Sequence, residues 1–173
     1  MFDSLDIGCG DVPQGTVNCD RYIIDVDNHR GNVAKINPKK IPNFVVCDAA
    51  YLPFKRDAFD SVFSAQVIEH VDDPLLMVRE MLRVSRGKVT VETVHRYGER
   101  FIHWRPAQAR WCRLHHVNKF NWFWFYRVSQ VLRCVKRDSY LKVFFYFPHR
   151  YFCLFRFPYE IGVVLEKSGE TLC

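Results

Sequence analysis

Residues 5–10 read Leu-Asp-Ile-Gly-Cys-Gly, an apolar run that breaks into two glycines one residue apart. A strand ending in such a pair lets the backbone turn tightly and leaves its N–H groups bare, which suits the close approach of a bulky polar ligand. Alone, the pattern is weak. It gains force from the chain that follows. Asp20 ends the next apolar segment, Val17-Asn18-Cys19-Asp20, and the step Cys47-Asp48-Ala49-Ala50 ends a third.

Further blocks continue the succession: CDAAYLPF at 47–54, FDSVFSAQVIEHVDDP at 59–74 and REMLRVSRGKVTVET at 79–93. Taken in order with LDIGCG and VNCD, they resemble the class I S-adenosylmethionine-dependent methyltransferases, and most closely the small-molecule branch called type 11. The resemblance covers roughly the first 95 residues and fades from His95 onward. It implies an α/β fold: a Rossmann-like, doubly wound, mostly parallel seven-stranded sheet of order 3-2-1-4-5-7-6, its last strand antiparallel. One domain would then fill 1–173, with a cofactor-binding half at 1–95 and an acceptor-pocket half with a closing hairpin at 96–173. Relatives usually carry helical material before the first strand. Its lack here implies either an open, N-terminally short site or a start internal to a longer gene.

The resemblance also assigns roles. S-adenosylmethionine would lie on Asp6, Gly8, Cys9 and Gly10, with Asp20 taking both ribose hydroxyls. Asp48 would accept from the adenine amino group, the Ala49 N–H would donate to the ring, and Ala65 and Gln66 would line the methyl site. Charge-assisted bonds of this kind are about twice as strong as neutral ones, which suits a carboxylate on a diol. Spacing separates the pattern from a nicotinamide fold. There the ribose acid follows the glycine fingerprint by about 20 residues, whereas Asp20 lies ten beyond Gly10. The reaction implied is in-line displacement at the sulfonium methyl, for which alignment supplies roughly 7–11 kcal/mol. Where a base is needed, a neutral imidazole suits. His70 and His95 are the candidates, since they end strands at the carboxyl edge where ligands bind; His103, His115 and His116 also lie in the chain.

Composition narrows the setting. The 173 residues, 49% of them hydrophobic, suffice for one sizeable core. No run of about 18 uncharged apolar residues occurs, so no transmembrane helix is expected, and no secretory n- and h-region opens the chain. Seven cysteines at scattered positions do not form a disulfide framework, which favours the reduced cytoplasm. Cys112, His115 and His116, with His103 nearby, form half a ligand set, and no metal is expected. Residues 1–80 hold 8 Lys and Arg against 13 Asp and Glu, whereas 81–173 hold 17 against 6. The basic half also carries most aromatics. It suits a negatively charged or planar acceptor, or simply a solvated basic face around an aromatic core.

Local signals fill in the elements. Strands are expected at Ser4–Gly8, Thr16–Cys19, Asn43–Cys47, Ser61–Ala65 and Lys88–Thr93, with residues 11–15 too few for a crossover helix. The segment 28–42 reads as a loop with at most one helical turn. Asp73 as N-cap and Pro74 at N1 start a helix with Leu75, Val78 and Leu82 on one face and Gly87 at its end. Asn121 caps a second helix over Trp122–Leu132, its stripe Trp122, Phe125, Val128 or Ser129 and Leu132. Lys142–Phe147 and Tyr159–Glu166 form the closing hairpin, joined by the aromatic, arginine-bearing connection from Pro148 to Pro158. That connection is a core element, a homodimer seam, or an exposed patch for a membrane surface or nucleic acid. A small-molecule acceptor is the leading expectation for the whole; the alternatives are methyl transfer to RNA or a lipid-linked acceptor, and an inactive cofactor-binding or interaction protein of the same fold.

Overall fold

A computed structural model describes residues 2–23, 36–96, 116–146 and 155–167. Seven strands form one sheet: β1 (Phe2–Ile7), β2 (Val17–Asp20), β3 (Phe44–Val46), β4 (Phe59–Ala65), β5 (Ser85–Val94), β6 (Cys134–Tyr146) and β7 (Phe155–Lys167). Their order is β3-β2-β1-β4-β5-β7-β6. The β1–β2, β1–β4, β2–β3 and β4–β5 pairs are parallel, while β7 runs antiparallel to both β5 and β6. The sheet is therefore the Rossmann-like one expected, with β7 as its reversed strand.

Helix α1 (Pro74–Val84) starts where its sequence dictates: the Asp73 carboxylate accepts from the Leu76 amide at 2.9 Å, and Pro74 occupies the first turn, where a missing N–H costs nothing. Its buried residues are Met77, Val78, Met81, Leu82 and Val84. Leu75 is exposed, so the stripe lies about one residue around from the expected one. Each such buried side chain stabilises the fold by about 1.5–3 kcal/mol. Gly87 does not end the helix. The chain passes directly from Val84 into β5, and Gly87 sits in that strand beside a register shift between Phe59 and Ser61, where an added Cβ would lie 3.0 Å from the Asp60 carbonyl oxygen. Close strand approach, not helix termination, is its reason.

Helix α2 (Trp122–Val131) carries the expected cap, Asn121 accepting from the Trp124 amide at 3.0 Å. It buries Phe125, Val128 and Ser129, and Leu132 follows into the core. Trp122, expected on the stripe, is exposed. Both helices and the central strands share one apolar cluster, including Leu5, Ile7, Val62, Val89, Phe120 and Ile161. The closing strands are longer than expected, and Pro158 pairs with Val143 inside β7. Most of the aromatic connection, 147–154, lies outside the described residues, as do His103, Cys112 and His115. In 28–42 the described part contains one 3-10 turn, Pro38–Lys40. No helix among the described residues is long and apolar enough to cross a membrane.

Candidate functional site

The carboxyl ends of β1, β2 and β3 meet at one edge. Gly8 and Gly10 both take the left-handed conformation, φ +72° and +57°, which an L side chain adopts only with strain. At Gly8 space is also missing. An added Cβ would overlap Cγ2 of Val67, the residue two positions beyond β4. The expected bare amides are not found: Gly8 and Cys9 both donate to the Cys19 carbonyl, at 2.8 and 3.1 Å, and Gly10 donates to the Asp20 carboxylate at 3.2 Å. With no crossover helix, the turn lies flat on the end of β2 and spends its donors there. The glycines serve close packing rather than an anion cradle.

The short return to β2 depends on Asn18, which is fully buried. Its amide group donates to the carbonyls of Gly15 and Pro42 at 2.9 and 2.8 Å and accepts from the Gly15 N–H at 2.9 Å. At Gly15 any Cβ would overlap the Val17 carbonyl oxygen and lie 2.7 Å from the Asp6 amide. Asp6, 3% exposed, accepts from the Gln14 amide at 2.9 Å. Burial raises its pKa, the Gln14 bond partly offsets this, and the Asp20 charge adds to the rise.

Asp20 ends β2, and Asp48 lies two residues beyond the neighbouring β3, at this edge. The Cys47 amide donates to the Asp20 carbonyl at 3.1 Å. Asp20 is 6% exposed; its Oδ2 accepts from Gly10 and its Oδ1 from the Tyr22 amide at 3.0 Å. Asp48 accepts from the Ala50 amide at 2.9 Å and pairs with Arg21 at 3.4 Å. Beside it Tyr51 is an exposed ring, Leu52 is buried and Phe54 packs edge-to-face on Phe59 at 5.0 Å. Arg83 explains why: it donates to the Leu52 and Phe54 carbonyls while paired with Glu80, which accepts from the Leu52 amide. Ala49 is buried and Cys9 belongs to a small cluster with Ile36 and Ile41.

A second group gathers beyond β4. Gln66, at φ +57°, donates its amide N–H to the Glu92 carbonyl at 2.9 Å and its side-chain amide to Glu160 at 3.2 Å. Ala65, just before it, ends β4. Glu69, 2% exposed, accepts from the Thr93 hydroxyl at 2.8 Å. Its neighbour His70 meets His116 edge-to-face, ring centroids 4.9 Å apart. His95 is buried at the end of β5, bridged to Phe120; burial lowers its pKa, and Arg96 lowers it further. Asn18, Thr93 and Asn118 carry no motif that reading the chain could single out. Asn18 and Thr93 are buried polar side chains and Asn118 a half-buried one, a signal visible only once the strands are packed.

The glycine turn and the two carboxylates thus meet at the carboxyl edge of a mostly parallel sheet, the edge at which open α/β sheets bind ligands. The family model for the methyltransferase domain matches residues 5–91, and the chain belongs to that family. A curated relative, the tRNA (carboxymethyluridine(34)-5-O)-methyltransferase alkbh8 of Xenopus tropicalis, is 32% identical over 91 residues, which are 50% of this chain and 14% of the relative. The chain thus spans about a seventh of that protein. Among solved structures, a SAM-dependent methyltransferase of Thermotoga maritima superposes with TM-score 0.67 at 15% identity, covering 97% of this chain and 83% of its own. Magnesium protoporphyrin IX methyltransferase of Synechocystis with bound SAH gives 0.58 at 12%, covering 96% and 74%. These structural likenesses speak for the fold.

Proposed function

We propose that the chain transfers the methyl group of S-adenosylmethionine to a small-molecule acceptor. The observation that carries this reading is the common edge: Asp20 at the end of β2 and Asp48 just past the end of the adjacent β3 lie beside the Gly8–Gly10 turn, inside a methyltransferase-family domain. When bound, S-adenosylmethionine supplies an activated sulfonium methyl. Asp20 would accept from the ribose, Asp48 and the Ala49 amide would hold the adenine with Tyr51 against it, and Asp6, Cys9 and the two glycines would shape the floor. Ala65 and Gln66 would border the methyl position. His95, whose pKa burial lowers, and His70 are the proposed bases for a protonated acceptor. The cytoplasm is the proposed location and 1–173 the proposed single domain, with a homodimer through the aromatic half as its proposed assembly.

Isothermal titration with S-adenosylhomocysteine should show one site per chain, and incubation of labelled S-adenosylmethionine with an acceptor extract should give turnover. No binding at millimolar cofactor refutes the reading. A second reading, transfer to RNA, is favoured by the relative whose printed name specifies tRNA and by the 17 Lys and Arg against 6 acids in residues 81–173. It predicts retention on immobilised tRNA that falls steeply with salt. Elution indifferent to ionic strength removes it, and the same column run with vesicles tests a membrane surface.

A further inference from the structure

We infer that Glu69, His70 and His116 form a binding site for a divalent first-row transition metal, with zinc the best fit. Their donor atoms, one from each side chain, all lie within 4.8 Å of one another. The three come from two distant stretches of chain, so their meeting is made by the fold. Asn118 makes it. Its amide N–H donates to the Glu69 carbonyl at 3.1 Å and its side-chain amide donates to the Val71 carbonyl at 2.6 Å, gripping the backbone on both sides of His70. His116, two residues earlier, is thereby delivered beside His70. The same strand of chain is tied to the end of β5 through Phe120, which bridges His95 and accepts from the Arg96 amide at 2.9 Å.

Ligand chemistry selects the ion. Two imidazoles and one carboxylate are the donor set of open three-ligand sites for zinc or iron(II), whereas magnesium and calcium prefer all-oxygen sites. Glu69 is the anchor: it is 2% exposed, and the Thr93 hydroxyl donates to its Oε2 at 2.8 Å. That is the outer contact that orients a ligating carboxylate. Zinc bonds of about 2.0–2.1 Å require tetrahedral donors about 3.4 Å apart. The half-buried imidazoles therefore close inward by at most about 1.5 Å, a movement available to side-chain torsions, while the carboxylate stays. Three protein ligands leave a coordination position open, and the site lies past the carboxyl end of β4, the strand hydrogen-bonded to β1. The inference concerns binding and does not depend on the methyl-transfer reading.

The test uses the full chain, stripped with a chelator and titrated with cobalt(II) and then zinc(II). One equivalent should bind, with the visible absorption of a four- or five-coordinate cobalt site. X-ray absorption on the zinc-loaded wild type should show nitrogen and oxygen scatterers with imidazole features. His116→Ala and Glu69→Gln should each weaken binding more than about tenfold, and Thr93→Val, which touches only the orienting contact, by about 10- to 100-fold. Urea unfolding shows that the variants fold, and S-adenosylhomocysteine titration in parallel separates this outcome from the cofactor's. Absence of stoichiometric metal, equal affinity in a folded His116→Ala, or sulfur scatterers in the wild type, which would put the ion on cysteines, each overturns the inference.

Discussion

Replacing Gly8 by alanine isolates why a glycine must follow β1. Two costs add. The residue sits at φ +72°, where an L side chain loses roughly 1–2 kcal/mol, and its new methyl would overlap Val67 Cγ2. Val67 packs against the main apolar cluster and, being β-branched, has few rotamers to escape into, so overpacking adds about 1–3 kcal/mol. The sum, about 2–5 kcal/mol, should lower Tm by on the order of 10 °C in a domain of this size. A double-mutant cycle separates the terms. Truncating Val67 to alanine removes the clashing methyl and leaves Cβ as the nearest atom, 3.3 Å away. Gly8→Ala made in a Val67→Ala background should therefore cost only the conformational part, with a coupling of about 1–3 kcal/mol between the sites. Urea unfolding of the four chains measures it. A single variant as stable as wild type, or zero coupling, refutes the reasoning.

Other changes probe the same edge. Asp20→Asn can satisfy only one of the two backbone amides that Asp20 now accepts, and should weaken S-adenosylhomocysteine binding about 10- to 100-fold as a charge-assisted bond is lost; unchanged affinity by calorimetry contradicts the assigned role. Burial raises Asp6, so its contribution favours the fold below the ordinary aspartate range and is lost as pH rises through the folded value. Asp6→Asn, which keeps an acceptor for Gln14, should accordingly raise the urea midpoint at pH 7, and the gain should vanish below about pH 3.9; a gain independent of pH argues against it. A hydrogen bond from the Cys19 thiol holds the Cys47 pKa down, while that bond and burial push Cys19 up. Iodoacetamide should then label Cys47 at lower pH than an ordinary thiol and spare Cys19, as peptide mass mapping would show; equal labelling disproves the pairing.

Several elements were legible because their causes are local. Asp73-Pro74 and Asn121 start helices through side chains that reach their own next turn, and the short apolar segments ending at Ile7 and Asp20 are strands because nothing else can bury them. The misreadings have one source. Gly87 looks like a helix terminator in the chain but is a site of strand crowding, and the bare amides expected of the Gly8–Gly10 turn are taken by Cys19 and Asp20. In each case the deciding partner is far away in sequence.

By itself the sequence determined where the strands fall along the chain, and that Asp20 ends one strand and Asp48 follows the next, since alternation, glycine turns and caps act over a few residues; the order of strands in the sheet was implied by the family resemblance. Only the tertiary structure decided that the glycine amides are consumed by β2, that Val67 forbids a side chain at Gly8, and that His116 is brought to Glu69 and His70. These outcomes rest on contacts such as Asn118 to Val71, 47 residues apart, and Thr93 to Glu69, 24 apart. Such contacts form only when the sheet has fixed the distance between segments, and no local preference encodes that distance.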